Sequence, residues 1–293
     1  MVQFHKIALA LAFSPRTQAL LAEVARLKNL WNAELILIHV GDYGDREKLL
    51  LDEFLAGVNL SLDKNVRVCW EQGKPSERIL ATCKKENVDL LVAGALKQEN
   101  LVQYYLGTIA RKILRKAGCS VLMLTDPSNT PAPFRNIVVN TEDSAYVEDA
   151  VRIACAIGLK DKAQWLHVVR EIKLYGLTMS ASDQHSEAEY EHLRQSLVKD
   201  EIETVEKLLK GIPHEGLKVN IKMLAGKSGF ELAKFAQRKH ADLLVVGASP
   251  RRFSLFDRVF PHGLEYIFAD MPCNLLVIHP IKNQGTGREV KHG

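Results

Sequence analysis

The chain states one pattern twice, and that repetition restricts its fold more than any other feature. Asp89-Leu90-Leu91-Val92-Ala93-Gly94 returns as Asp242-Leu243-Leu244-Val245-Val246-Gly247. In each copy a Gly-Lys pair, Gly73-Lys74 and Gly226-Lys227, stands 16 residues before that Asp. Each copy also holds an apolar run closing on His-Val, at His39-Val40 and at His167-Val168. Each ends on a Cys and a further apolar run, Cys119 to Leu124 and Cys273 to Ile278. A period of about 150 residues is too long for a solenoid unit and matches one whole domain. The expectation is a tandem duplication: domain one at 1–126, a linker at 127–134, domain two at 135–281 and a flexible tail at 282–293. The linker follows from the three prolines between Thr125 and Phe134, which make that stretch short and stiff.

Within the first copy, apolar runs at Ile7–Phe13, Leu35–Val40, Val66–Trp70, Leu90–Val92 and Val121–Leu124 alternate with segments of helical period. The helices are predicted at Ala19–Leu30, Arg46–Leu60, Ser76–Glu86 and Thr108–Lys116. Runs that are continuously apolar mark strands covered on both faces, as in parallel sheets. Strand and helix alternating in this way give an α/β fold with a mostly parallel sheet and helices on both faces. The second copy repeats the plan at Ile137–Val139, Trp165–Val169, Val219–Met223, Leu243–Val246 and Leu275–Ile278. From His167 to Gly226 is 59 residues, against 34 from His39 to Gly73, so about 25 residues enter after its second strand. Working loops of open α/β sheets lie at the carboxyl ends of strands, which places this insertion on the functional rim.

Charge and cysteine content bound the partners. A formal charge of +4, with basic residues scattered, carries no nucleic-acid footprint. The five cysteines include no CxxC pair and point to a reducing, cytoplasmic setting. Lys6 followed by Ile7–Phe13 imitates a signal-peptide core. The same slot in the second copy is internal, at Ile137–Val139, so both read as buried strands. No apolar run approaches the roughly 20 residues of a membrane span.

The site expected in copy one is the loop after the fourth strand, from Gly94 to Gly107, with Thr108 opening a helix. Glycine lets the backbone approach a phosphate, and a helix start offers unpaired N–H groups and partial positive charge. Gly226-Lys227-Ser228 lacks the Gly that a phosphate-binding P-loop needs five residues earlier, where Ile221 stands. Gly73-Lys74 has Val68 there; both pairs read as strand-to-helix turns. His185, Glu189 and His192 share one helical face of the insertion, a spacing open to a metal but more simply a solvated face. No nucleophile elbow, HExxH motif or Cys with an evident base appears. His39 and His167, both placed at a strand end, are expected to share a structural duty.

Two such copies, each with a glycine-bearing loop, a helix and a Cys-apolar strand, resemble a tandem universal stress protein. Nucleotide-binding members of that family carry G-x2-G-x9-G-[ST] after the fourth strand. Gly94, Gly107 and Thr108 match its first, third and last positions, with Lys97 at the second. The family's first strand commonly ends Asp-Phe-Ser-Pro, its Asp contacting nucleotide; here the string is Ala12-Phe13-Ser14-Pro15. In copy two Gly247 and Pro250 take the first two positions, and Gly263 comes 16 residues after Gly247, followed by Leu264. Arg251, Arg252 and Phe253 lie between, and Asn140 ends that copy's first strand. The resemblance thus implies a candidate nucleotide-binding set of Gly94, Lys97, Gly107, Thr108, Val40, Asn140, Gly247 and Gly263.

It further implies two Rossmann-like domains of the adenine nucleotide alpha hydrolase-like type, with strand order 3-2-1-4-5. Their pairing about a pseudo-twofold axis would let one chain imitate the family's dimer; association of two chains is left open. Three functions remain: a regulatory stress-response protein with degenerate nucleotide motifs, one that binds ATP or another adenine nucleotide through the first loop, and, least favoured, an enzyme acting on adenylates. In the first, the clefts take another small molecule or a protein partner.

Overall fold

The computed structural model describes residues 3–97, 104–142, 146–172, 187–248 and 262–279. The first half runs β1 (Lys6–Leu11), α1 (Thr17–Trp31), β2 (Glu34–Val40), α2 (Asp45–Gly57), β3 (Val66–Glu71), α3 (Pro75–Lys85) and β4 (Leu90–Gly94). A small hairpin of β5 (Leu96–Lys97) and β6 (Tyr104–Tyr105) follows, then α4 (Thr108–Lys116) and β7 (Ser120–Leu124). The second half runs β8 (Asn136–Asn140), α5 (Val147–Asp161), β9 (Trp165–Ile172), α6 (Glu187–Lys210) and β10 (Val219–Ala225). It closes with α7 (Phe230–Arg238), β11 (Leu243–Gly247), α8 (His262–Ala269) and β12 (Asn274–Ile278).

The apolar runs are continuous because both faces of the sheet are covered. Along β1, Ile7 and Leu9 enter one core with α1, while Ala8 enters a second core on the opposite face. The first core takes Leu21 and Val24 of α1 and Val151 and Ala154 of α5; the second takes Ile79 of α3 and Phe268 of α8. Each core runs through both halves. The outermost strands β3 and β10 are mostly half-buried or exposed, as edges with one neighbour must be.

Strand order is β3-β2-β1-β4-β7 in one half and β10-β9-β8-β11-β12 in the other, the 3-2-1-4-5 arrangement in each. All pairs within a half of this sheet are parallel; β7 and β12 join antiparallel into one sheet of ten strands. Leu122 pairs with Leu276, each three residues after its Cys. A residue opposite its own repeat counterpart places a local twofold axis between them.

The repeated Asp has a structural duty. The Asp89 carboxylate accepts the main-chain N–H groups of His5 and Lys6 at 2.8 and 2.9 Å, and Asp242 accepts those of Arg135 and Asn136 at 2.7 Å. Each Asp thereby ties the start of its domain's central strand to the segment before the fourth. The Gly-Lys pairs are strand-to-helix turns: Gly73 (φ 118°) and Gly226 (φ 143°) take a left-handed backbone that side chains disfavour.

The two His-Val dipeptides are not equivalent. His39 pairs with Leu11 at the carboxyl end of its sheet, whereas His167 pairs with Val138, well before its strand ends at Ile172. The counterpart of His39 is Arg170, and that of Val40 is Glu171; the insertion is correspondingly shorter than the dipeptides suggest. His167 contacts the Asn220 amide through Nδ1 at 3.0 Å, while the His39 Nδ1 lies 3.2 Å from the Leu11 carbonyl oxygen. The shared duty expected of them is absent.

The linker is clasped from both sides. The Thr125 N–H donates to Asn274 Oδ1 at 2.9 Å, and Phe134 is buried. Arg26 of α1 lies over the Phe134 ring at 4.7 Å and donates to Asp161, at the end of α5, at 2.9 Å. Asp161 also accepts the Phe134 N–H at 2.9 Å, so one cluster gathers α1, the linker and α5.

Candidate functional site

The sheet's crossover direction reverses between β1 and β4, and the same reversal recurs between β8 and β11. Such switch points open a crevice at the carboxyl ends of the strands. In the first half, the crevice is bordered by the β1–α1 turn, the segment after β4 and the start of α4. Thr17 Oγ1 organises the first of these, donating to the Ala12 carbonyl at 2.6 Å and accepting the Ser14 N–H at 2.8 Å. Arg16, at the head of α1, donates to the Ala95 carbonyl at 2.6 Å and to the Thr125 carbonyl. Its guanidinium thus lies along the ends of β4 and β7.

The expected site residues fall around this rim. Gly94 ends β4 beside Leu20, whose Cδ1 is 3.3 Å from where a Cβ would stand. Lys97 lies in β5, paired with Tyr104. Gly107 is the N-cap of α4, with no side chain capping that helix, and Thr108 is its first residue and exposed. Val40 ends β2, partly exposed. Leu96 leans over Gly107, its Cδ1 2.7 Å from the site of an added Cβ. Phe13 turns toward the β2–β3 side, with ring centroids 4.7 Å from His39 and 6.3 Å from Trp70. Aromatic side chains fill that flank.

In the second half, Asn140 is buried at the end of β8 and its Oδ1 accepts the Glu142 N–H at 3.3 Å. Gly247 ends β11, paired with Ile278. Gly263 is the second residue of α8, one place inside the helix, whereas Gly107 precedes α4. Pro250, Arg251, Arg252 and Phe253 lie outside the described residues, as does His185 of the His-Glu-His trio. Glu171 accepts the Ser228 hydroxyl at 2.9 Å and the Gly229 N–H at 2.8 Å, at the head of α7. Burial pushes its carboxyl above the usual carboxylate range, against those hydrogen bonds.

Charge separates the two rims. Helix starts carry partial positive charge, which an acid in the first turn offsets. Neither α1 nor α4 has such an acid. Their counterparts do: Glu148 and Asp149 in α5, and Glu265 in α8. A further cleft of about 680 Å³ beneath the linker is lined by Glu23, Asp126, Asp242 and Asp270, a polarity opposed to anions.

Sequence reasoning missed Arg16, Leu96, Arg111 and Glu265. One signal was available for the last two: Arg111 and Glu265 each stand eight residues before their Cys. They meet across the domain seam, Arg111 Nη1 donating to Glu265 Oε2 at 2.8 Å.

The family model of the universal stress proteins matches twice, over residues 3–125 and 133–279. The chain belongs to the universal stress protein family. A universal stress protein of Methanocaldococcus jannaschii is 25% identical over 154 residues, covering 52% of this chain and 85% of the relative. The crystal structure of a universal stress protein from Archaeoglobus fulgidus superposes with a TM-score of 0.66 at 14% identity, covering 95% of this chain and 99% of that one. A putative universal stress protein from Pseudomonas aeruginosa gives 0.64 at 18%, with 94% of each chain covered. These structures share the fold of this universal stress protein. Among its described residues, no helix is long and apolar enough to cross a membrane.

Proposed function

We propose that this universal stress protein is a cytoplasmic, ligand-binding regulator of the stress response, and that its first domain takes an anionic ligand. ATP or another adenine nucleotide fits that role, held around Gly94, Lys97, Gly107 and Thr108, with Val40 on the rim. The observation that carries the proposal is the absence of first-turn acids at α1 and α4 while Arg16 lines the same crevice. Helix starts of this kind attract phosphate groups. Asn140, Gly247 and Gly263 border the second rim, where acids at the helix starts oppose an anion, so binding there is weaker. A second reading, in which the clefts engage another small ligand or a protein, is favoured by Phe13 and its aromatic neighbours filling the β2–β3 flank.

Gly107→Val separates these readings. Gly107 has φ −68°, open to any residue, and among the described residues only the flexible end of Leu96 stands in the way. The variant should fold like the parent yet crowd the start of α4. Calorimetric titration with magnesium ATP should show heat for the parent and lose it in the variant. Mass spectrometry of ligand released from the purified protein is the independent arm. No nucleotide released, and no heat at millimolar ATP, would defeat the nucleotide reading.

A further inference from the structure

We propose that Glu265, in the second domain, is a positioning residue for the Leu106–Gly107 turn that opens α4 at the first domain's ligand rim, so that this turn is held in place only while the domains are docked. This rests on the reading of the first domain's rim as the ligand site.

The argument begins at Leu106, which directly precedes the N-cap Gly107 and is almost fully buried. Both of its main-chain groups depend on the second domain. Its N–H donates to the Phe268 carbonyl at 3.0 Å. Phe268 lies in the last turn of α8, where carbonyls have no partner within the helix, so the loop satisfies a helix end across the seam. The Leu106 carbonyl accepts from Arg111 Nε at 2.9 Å. The same guanidinium uses Nη1 to reach Glu265 Oε2 at 2.8 Å, and Arg115 Nη2 holds the other carboxylate oxygen at 2.9 Å. A guanidinium is a rigid fork, so fixing one prong on Glu265 aims the other at Leu106. Arg111 also donates its own N–H to the Gly107 carbonyl at 3.0 Å, closing the first turn of α4. The helix start proposed to face the anion is therefore located by a carboxylate from the other domain.

The Arg111–Glu265 contact is chemically asymmetric. Counted back from Cys119 and Cys273, Arg111 and Glu265 hold the same repeat position. A carboxylate has no proton to give a loop carbonyl, so Glu265 cannot do for its own domain what Arg111 does for the first. Linkage then requires that a ligand seated at the first domain's loop also strengthen the α4–α8 contact.

The test uses the full chain and two readouts. Hydrogen exchange of the peptide spanning Leu106–Arg111, without ligand, should quicken several-fold in Glu265→Ala and stay near the parent rate in Glu265→Gln, whose amide oxygen still accepts from Arg111. Exchange in β1 and α1 should not change. If the alanine variant does not fold, Glu265→Gln and Glu265→Lys carry the comparison, with quickening expected in the lysine variant alone. Magnesium ATP affinity should fall about fivefold or more in the variant with the quickened loop. Unchanged exchange at Leu106–Arg111, or unchanged ATP affinity where the parent binds, overturns the proposal. A parent that binds no ATP instead defeats the nucleotide reading, and the exchange comparison still decides the positioning claim.

Discussion

Asp161→Ala offers the sharpest test of how the halves are held together. The Asp161 side chain is 3% exposed, and its oxygens accept Arg26 Nη1 at 2.9 and 3.0 Å and the Phe134 N–H at 2.9 Å. Truncation leaves the Arg26 guanidinium, itself 15% exposed, against apolar neighbours, with Glu23 as the remaining anion at 3.8 Å. Among the described residues, Arg26 Nε and Nη2 have no hydrogen-bond partner. Removing one member of a buried pair costs about 3–5 kcal/mol, because the other charge stays desolvated. Asp161→Asn should lose about half as much, since its amide oxygen still accepts the Phe134 N–H. Arg26→Met combined with Asp161→Asn should return to within about 1 kcal/mol of the parent, the uncompensated charge having gone. Urea unfolding followed by tryptophan fluorescence reads these values, Trp31 being buried beside the cluster with Lys160 over its ring at 5.2 Å. A loss below about 1 kcal/mol for Asp161→Ala would refute the reasoning and class the pair with solvated surface bridges.

Other outcomes follow from the same contacts. Glu171 has its folded pKa raised by burial, so its ionisation favours the unfolded chain. Stability should fall as pH rises from the ordinary glutamate value through the raised one, and Glu171→Gln should flatten that slope in melting curves. Burial pushes the thiols of Cys155 and Cys273 up to about 11 and about 12. Neither should be labelled by maleimide near pH 8 until the protein unfolds, and rapid native labelling at either, mapped by peptide mass spectrometry, would contradict this.

The architecture was legible because it rests on short-range periods. Every strand predicted in the first copy has its counterpart, from Lys6–Leu11 to Ser120–Leu124, since a doubly covered strand must be apolar at successive positions. The helix predicted at Ala19–Leu30 spans Thr17–Trp31, its burial set by Leu20, Val24 and Leu27 on one stripe. The repeat also marked Asp89 and Asp242 as places worth explaining, although their role in tying strand starts emerged only from the hydrogen bonds. The matched His-Val pairs misled because β9 continues to Ile172, beyond the closing point that its dipeptide suggests. The sequence marks a glycine-bearing loop from Gly94 to Gly107 but not the pairing within it of Leu96 and Lys97 with Tyr105 and Tyr104.

Sequence alone thus determined two α/β units, their parallel sheets and the family, all written in local spacing and in the doubling of it. Tertiary structure decided how the units face one another, that the starts of α1 and α4, which lack a first-turn acid, border one crevice, and which partner holds Arg111. The physical reason lies in range. Periodicity reports which face of an element is apolar, but a hydrogen bond from Arg111 to Glu265 depends on the packing of elements 154 residues apart. That pairing exists only once β7 and β12 have joined and brought α4 against α8.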